Sequence, residues 1–315
     1  MRKSRSNPIS AITVVSLLAL LSSGVAMAAP CCGGGSGIPA LITGDDGAQL
    51  GASLSQASVI GDAPAEGMPV FRSTNDSEVT QAFRLDGAYR ISDRFQAGAV
   101  VPLIRRARQL TAATAQAYGF GDITLNAGYE ALPEWSYSAW KPHGFLFLQT
   151  TLPTSPSTYD SEAPFQIDAR GRGFFQLGLG AAFLKGVGNW DFIASVEGHR
   201  SFARTFAASD GGTLNLTPGW GATGLLGVGY SPRAGIVRLG LSLSPVFEGP
   251  IDVRGEVNST SADQLVWNTS AQVGVLISPE WSSALSYTDQ TLLGPTRNVS
   301  LSRSVALSAQ KRWAL

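Results

Sequence analysis

The feature that most constrains this chain is the stretch 299–315, because the character of its side chains alternates at every second position. The odd positions carry Val299, Leu301, Val305, Leu307, Ala309, Trp313 and Leu315, apart from the charged Arg303 and Lys311. Mostly small or polar residues, four of them serines, stand at the even positions. A period of two is that of a β-strand with two different faces. The run therefore predicts a strand of a closed membrane barrel, apolar toward lipid and polar toward the lumen.

Two charged residues on the apolar face, Arg303 and Lys311, flank its central apolar positions. Such side chains can lie at the membrane interfaces or extend toward them, so they are compatible with a lipid-facing strand. An edge strand of a soluble sandwich would show the same alternation. The remaining strands and the connections between them must separate these two folds.

The same alternation recurs along the chain and predicts about twelve strands, an even number. The predicted strands are 49–60, 79–91, 95–104, 119–131, 143–152, 173–184, 190–201, 220–230, 237–248, 267–277, 281–288 and 299–315. Tryptophan or tyrosine stands at many of the strand ends, for example Trp220 and Tyr230. Amphipathic aromatic rings at strand ends are typical of the two interfacial girdles of an outer-membrane barrel.

The predicted connections alternate between short and long. Short ones lie at 92–94, 132–142, 185–189, 231–235 and 278–280, and long ones at 61–77, 105–118, 153–172, 203–218, 249–264 and 289–298. Short periplasmic turns opposite long outer loops are typical of bacterial outer-membrane barrels, whereas a sandwich has no reason to alternate. The sequence thus predicts an all-β fold, a transmembrane antiparallel barrel with meander topology over residues 47–315.

The N-terminus predicts export. Arg2, Lys3 and Arg5 precede the apolar stretch 11–21, and an A-x-A cleavage site ends at Ala28, so residues 1–28 are interpreted as a cleaved signal peptide. Residues 29–46 form a Gly-rich segment that contains Cys31 and Cys32. In an oxidising periplasm these two cysteines could join each other or a second chain, but they have no second ligand pair for zinc.

Composition excludes several classes of protein. The formal net charge is +0, which gives no basis for nucleic-acid binding. The content of 36 glycines with 44% hydrophobic and 15% charged residues does not suit a disordered chain. Outside the signal peptide no apolar run is long enough for a transmembrane helix. The expected partners are outer-membrane lipid, a small-molecule solute and the barrel assembly machinery, with no cofactor and no metal.

Charged or titratable residues on the predicted inward face are the candidates for lining the lumen. They are Arg84, Asp86, Arg90, Asp122, Glu130, Asp191, Glu197, His199, Arg238 and Glu248. Both signs occur, so the set predicts either a narrow polar path with a mixed-charge constriction or a salt-bridge network that fills the barrel. These two possibilities give two functions: a passive channel, or a structural or partner-binding barrel with a lumen plugged by residues 29–46.

A third possibility is a lipid hydrolase, because His199 and Ser201 lie on one face of a predicted strand and a histidine can deprotonate a serine. The strand pattern points both side chains into the lumen, whereas outer-membrane lipases act at the lipid-facing surface. The position expected for a third catalytic residue is Thr213, with Asp210 and Asn215 nearby. The sequence therefore favours a protein that is not an enzyme.

Several stretches resemble one family, the outer-membrane barrels associated with phenol-degradation pathways (the MetA-pathway transporter-like group). The similar motifs are Tyr89-Arg90-Ile91-Ser92-Asp93-Arg94-Phe95 running to Val101-Pro102, Gly119-Phe120-Gly121-Asp122-Ile123, and Leu152-Pro153-Thr154 with Gly171-Arg172-Gly173. The resemblance covers roughly residues 79–315, and Ser155 replaces the family's usual glycine. It implies an outer-membrane channel or transporter for small, aromatic or hydrophobic molecules, without assigning binding residues.

Overall fold

The computed structural model describes residues 38–314 except 67, 74–75, 111–112, 135–137, 139, 208–211, 233–234 and 256–257. The predicted signal peptide, Cys31 and Cys32 lie outside the described residues, as do Trp135 and Tyr137 of one predicted turn. Within the described ranges, no helix is long and apolar enough to cross a membrane.

The described residues form eighteen strands and one short 3₁₀ turn at Pro164–Gln166. The strands are β1 (Asp46–Ala63), β2 (Val70–Phe71), β3 (Ser77–Arg90), β4 (Phe95–Leu110), β5 (Ala113–Phe120), β6 (Ile123–Leu132), β7 (His143–Leu152), β8 (Gln176–Val187), β9 (Trp190–Ser201), β10 (Arg204–Ala207), β11 (Thr213–Pro218), β12 (Trp220–Tyr230), β13 (Val237–Glu248), β14 (Ile251–Arg254), β15 (Ser259–Thr260), β16 (Gln264–Leu276), β17 (Trp281–Asp289) and β18 (Val299–Ala314).

Twelve of these strands form one closed antiparallel barrel. Their order around the barrel is β1, β3, β4, β6, β7, β8, β9, β12, β13, β16, β17 and β18, and β18 pairs back to β1. That seam runs from the pair Asp46 and Ala314 to the pair Ala63 and Val299. Each barrel strand is thus hydrogen-bonded on both sides, which leaves no open edge in the ring. The predicted fold, a meander of twelve strands in a transmembrane barrel, is confirmed.

The outer face of the barrel is apolar all round, because large side chains at every second position project away from the lumen. Leu54, Leu179, Leu226 and Leu307 are between 57% and 66% exposed, while their chain neighbours on the inward face are more buried. Such a surface is unfavourable in water and favourable against hydrocarbon. The alternation in the sequence is therefore explained by two environments, hydrocarbon outside the barrel and the lumen inside it.

The charges on the apolar face of β18 have local partners. Lys311 places its ammonium group 5.5 Å from the ring centre of Trp281 and 5.0 Å from that of Trp313. The turn 277–280 and both barrel termini lie at this same end, so these rings belong to the girdle on the short-turn side. Toward the other end, Arg303 donates to Asp289 at 2.8 Å. Neither charge is therefore left unpaired against lipid.

One predicted loop is wrong. Residues 105–118 were expected to form a polar loop, but β4 continues to Leu110 and β5 pairs with its distal half, from Leu103–Phe120 to Leu110–Ala113. Arg105 donates to Gln81 and Gln116 on the neighbouring strands, at 2.9 and 3.0 Å. This hairpin extends beyond the apolar band, where both of its faces can be polar. The alternation that marks a membrane strand is consequently lost.

Two further predicted loops, 203–218 and 249–264, contain short strands. They form a separate four-stranded sheet in the order β10, β11, β14 and β15. Leu216, Phe206 and Phe174 make a small buried cluster beneath this sheet, and Tyr159, Ile251 and Val253 pack against it. We call this sheet with the connection 153–175 the cap, because both lie at the long-loop end of the barrel.

Candidate functional site: the barrel lumen

The predicted lumen-lining residues occupy inward positions or the mouth of the barrel, and they pair with neighbours along the wall. Arg238 holds the Asp191 carboxylate with two hydrogen bonds of 2.8 and 2.5 Å. The Glu130 carboxylate accepts a hydrogen bond from His143 Nε2 at 2.8 Å. Both pairs lie at the short-turn end. Each joins strands that are adjacent or one strand apart, so these pairs brace the wall and do not bridge the lumen.

A second group of the predicted residues consists of Arg84 and Asp86 on β3, which pairs with the seam strand β1. Arg84 Nε is 3.8 Å from an oxygen of Asp86, and this nitrogen is buried without a hydrogen-bond partner. Asp86 lies over Gly51 of β1, where an added Cβ would come within 2.6 Å of its carboxylate. The glycine thus gives Asp86 the room to lie against the wall, which again keeps the charge out of the centre of the lumen.

A third group gathers at the long-loop end around His199. Its Nε2 is 3.2 Å from both carboxylate oxygens of Glu248, and its Nδ1 is 3.6 Å from Glu197. Glu248 also contacts Arg172 of the cap. His199 on β9 reaches Glu248 on β13 across Gly221 of β12, a position where any side chain would collide with the imidazole. The cluster ties β9 and β13 to the cap, across β12.

The predicted pairing of His199 with Ser201 does not appear among the described contacts. Both side chains are buried on the inward face, and the contacts of the imidazole go to Glu197 and Glu248. A serine nucleophile needs its hydroxyl within hydrogen-bond reach of the base. The geometry therefore gives the hydrolase hypothesis no support.

Asp122, directly before β6, also anchors the cap at the mouth. Its carboxylate accepts from the Oγ and backbone N–H of Ser155 at 2.7 and 3.2 Å, and from the backbone N–H of Arg172 at 2.9 Å. Arg106 donates to the carbonyl oxygen of Ala169 at 2.5 Å and to Glu78 at 2.9 Å. The connection 153–175 is thus fixed across the mouth by β4, the start of β6, and β13.

The other end of the lumen is occupied by residues 38–45, which we call the inner segment. Ala40, Leu41 and Ile42 are each no more than 5% exposed, although they precede the first barrel strand. Ala40 and Ile42 pack against Ala88 and Val100 on the inward faces of β3 and β4. Burial of three consecutive apolar residues inside the ring shows that this segment is part of the folded interior.

Polar side chains of the wall hold the backbone of the inner segment. Gln96 accepts from the Ile42 N–H at 2.5 Å and donates to the Ile42 carbonyl at 3.1 Å. Asn126 donates to the Ala40 carbonyl at 2.8 Å. Gln49 and Arg90 complete the set, donating to the carbonyls of Leu41 and Gly44 at 3.0 and 2.5 Å. Arg90, predicted to line the lumen, thus binds backbone in place of another charge.

Leu41 covers a group of large apolar side chains on the facing wall. We call this group the apolar patch, and it consists of Phe145 and Phe147 on β7, Leu184 on β8, Ile193 on β9 and Leu225 on β12. Phe147 is 1% exposed. An added Cβ at Gly128 would lie 2.5 Å from Leu41 Cδ2, so the wall is shaped to receive the leucine.

The rest of the wall has a different character. We call the inward faces of β13, β16, β17, β18 and β1 the hydroxyl wall. Ser242, Ser270, Thr288 and Ser304 stand in register as a continuous row across four of these strands. A parallel row holds Gln272, Ser286, Ala306 and Ser55. Small side chains leave space in the lumen, and their hydroxyls give that space a polar surface.

Sequence reasoning did not find the residues that hold the inner segment. Gln49, Gln96 and Asn126 are uncharged, so they were not among the charged candidates. One signal was present: the apolar run Ile38-Pro39-Ala40-Leu41-Ile42 interrupts a segment that is otherwise rich in glycine and polar residues. An apolar run of this kind needs a place to be buried.

Comparison with known proteins supports the fold. The crystal structure of an outer membrane channel from Pseudomonas putida F1 is similar, with a TM-score of 0.65 and 16% identity over 85% of this chain and 96% of that one. The transport unit of the autotransporter AIDA-I from Escherichia coli has a TM-score of 0.50 and 8% identity over 84% and 90%. No family model and no curated protein matches the sequence. The chain therefore has the fold of an outer-membrane barrel.

Proposed function

We propose that this protein is a passive channel of the outer membrane for small, uncharged molecules. The observation that carries the proposal is the hydroxyl wall, where serine, threonine, alanine and glycine predominate among the inward side chains of five consecutive strands. Large inward side chains would fill a barrel of this size. A wall of small hydroxyls instead leaves a polar route along one side of the lumen.

The electrostatics of the lumen support an uncharged solute. Asp191 is neutralised by Arg238 and Glu248 by Arg172, both along the wall. A charged solute would find few free counter-charges there and would lose hydration. A molecule with an apolar body and one hydroxyl suits an interior with one apolar and one hydroxyl side. The resemblance of residues 79–315 to the phenol-degradation barrels agrees with that class.

The proposal includes the route to the membrane. Residues 1–28 direct export and are cleaved, and the barrel assembly machinery inserts the chain into outer-membrane lipid. Identification of the N-terminal residue of the protein from purified outer membranes tests this step. Ala29 is expected; an uncleaved Met1 or recovery of the protein in the soluble periplasmic fraction would contradict it.

Conductance of a bulky substitution in the hydroxyl wall tests the channel itself. Ala306 lies near the middle of β18, between Ser286 and Ser55, and faces the lumen by the alternation of its strand. Ala306→Trp should reduce single-channel conductance in planar bilayers by about half or more, because the indole occupies the proposed route. Ala271→Trp is the matched control, because Ala271 faces lipid. Equal conductance of Ala306→Trp and the unchanged protein would contradict the proposed route.

The inner segment favours a second candidate function, a structural or partner-binding barrel whose lumen stays plugged. Solute flux into liposomes distinguishes the two functions. A channel admits small uncharged solutes, and deletion of residues 29–45 raises their flux. A plugged structural barrel admits none in its full-length form, and if the deletion variant also admits none, the channel proposal fails.

A further inference from the structure

We propose that the apolar patch is a binding subsite for a small apolar or aromatic molecule, and that Leu41 occupies this subsite until the molecule displaces it. The inference rests on the proposed channel and assigns to it a ligand site and an opening step. The patch combines two phenylalanines with leucine and isoleucine side chains from four consecutive strands. Concave apolar surfaces of this composition bind apolar ligands, and similar cavities in proteins admit benzene.

The two sides of the inner segment are held by different forces. The described hydrogen bonds between the inner segment and Gln49, Gln96, Asn126 and Arg90 all involve backbone atoms of the segment. On the patch side, the contact is made by the Leu41 side chain, with Ile38 packed beside it. A ligand can replicate the apolar contact of Leu41 but not the backbone hydrogen bonds. Binding therefore competes with one side chain and weakens the docking of the segment.

The position of the subsite matches a route along the lumen. Leu225 lies on β12, which pairs with β13, where the hydroxyl wall begins. Ile193 lies on β9, the strand on the other side of β12. A molecule that moves along the hydroxyl wall thus reaches the patch without crossing the barrel. Transfer of its apolar body from the hydroxyl surface to the patch is favourable. Occupation of the patch then frees the end of the lumen that the inner segment fills.

The experiment follows the exposure of Ala40 in the full mature protein. Ala40→Cys is made in a background with Cys31→Ser and Cys32→Ser, and the rate of modification by a water-soluble maleimide is measured with and without toluene. Ala40 is buried in the docked segment, so its modification reports undocking. Saturating toluene should raise this rate roughly tenfold, because it replaces the contact of Leu41.

In the same background, Leu41→Ala should abolish or reverse the effect of toluene on the modification rate. The shortened side chain leaves a cavity between the segment and the patch, so toluene fills it without competition. Toluene should then leave the modification rate unchanged or lower it. Gly128→Ala displaces Leu41 and should raise the rate without toluene. Gly186→Ala is its matched control, since an added Cβ there meets nothing within 4 Å.

Two outcomes overturn the inference: no effect of toluene on the Ala40→Cys protein, or the same acceleration in Leu41→Ala. The conductance of the variant that lacks residues 29–45, measured without toluene, separates this failure from that of the channel. A conducting deletion variant with no toluene response in the full chain refutes the subsite and leaves the channel intact. A deletion variant that does not conduct refutes the proposed function.

Discussion

The two sides of the lumen differ in the size of their inward side chains, although both are built from the same kind of antiparallel strand. From β3 to β12 the inward face carries Phe145, Phe147 and other large side chains, and it provides most anchors of the inner segment and of the cap. From β13 through β18 to β1 the inward face carries mainly serine, threonine, alanine and glycine. The first side is a packed interior with a core of its own, while the second is a wall that none of the described residues fills.

This difference shows that the inward face of a membrane barrel is not uniformly polar. Large apolar residues are tolerated inside the ring where another part of the chain covers them, as Leu41 covers Phe147. Where no described segment covers the wall, small hydroxyl residues avoid exposing apolar surface to water. The stability of the protein and its proposed transport are thereby assigned to different sides of the same barrel.

The largest contrast is expected in stability. Phe147→Ala removes a side chain that is 1% exposed and should lower the free energy of unfolding by about 3–5 kcal/mol. Urea unfolding of the detergent-solubilised barrel, followed by tryptophan fluorescence, measures the loss. Leu148→Ala, at the next position on the lipid-facing side, is the control and should cost clearly less. A loss below about 1 kcal/mol for Phe147→Ala would mean that the packed side is not a core.

The next effect concerns the attachment of the inner segment. Gln96→Leu leaves the N–H and carbonyl of Ile42 without their partner and should weaken docking by about 2 kcal/mol. Modification of Ala40→Cys by a maleimide should accordingly accelerate roughly thirtyfold. Gln272→Leu makes the same change on the hydroxyl wall and should leave the rate unaltered. Equal rates in both variants would remove the distinction between the two sides.

A smaller effect is expected for the cap. Asp122→Asn keeps one acceptor oxygen but loses the charge that strengthens the bonds to Ser155 and Arg172, a loss of about 1 kcal/mol. Trypsin should then cleave after Arg170 or Arg172 roughly fivefold faster in the folded protein. Asp252→Asn, on the exposed β14, serves as the comparison. Unchanged cleavage would show that the cap does not depend on its anchor at the packed side.

The smallest effect is expected on the hydroxyl wall itself. Ser286→Ala removes one hydroxyl from the hydroxyl wall and should change the free energy of unfolding by less than about 0.5 kcal/mol. Single-channel conductance should also remain close to that of the unchanged protein, since the side chain stays small. A loss comparable to that of Phe147→Ala would show that these hydroxyls form a structural network.

The sequence was sufficient to predict the barrel, because the membrane imposes the same alternating pattern on each strand. Alternation identified the strands, and the alternating connections separated a barrel from a sandwich. The pattern failed at residues 105–118, where the hairpin of Arg105 and Gln116 stands beyond the apolar band and carries polar side chains on both of its faces. The membrane creates the alternation of apolar and polar residues. Alternation therefore cannot identify a strand that lies outside the membrane.

The interior of the lumen was far less predictable, because its contacts join distant parts of the chain. Gln96 and Asn126 bind residues 54 and 86 positions away, and they bind backbone atoms that any sequence would offer. His199 meets Glu248 only because Gly221 on the strand between them lacks a side chain. Charge and alternation indicated which residues turn inward, but their partners depend on the register of three strands.

The attachment of the inner segment to β1 has a consequence for biogenesis. β1 is one side of the seam, and β18, the last of the twelve strands in the chain, is the other. Until β18 arrives, the other eleven strands form a curved open sheet, and residues 38–45 can settle sideways onto its concave surface. Once the seam has formed, the same residues could enter only by threading through an end of the cylinder. The connectivity thus favours docking of residues 38–45 onto the inward face before β18 pairs with β1 and closes the barrel.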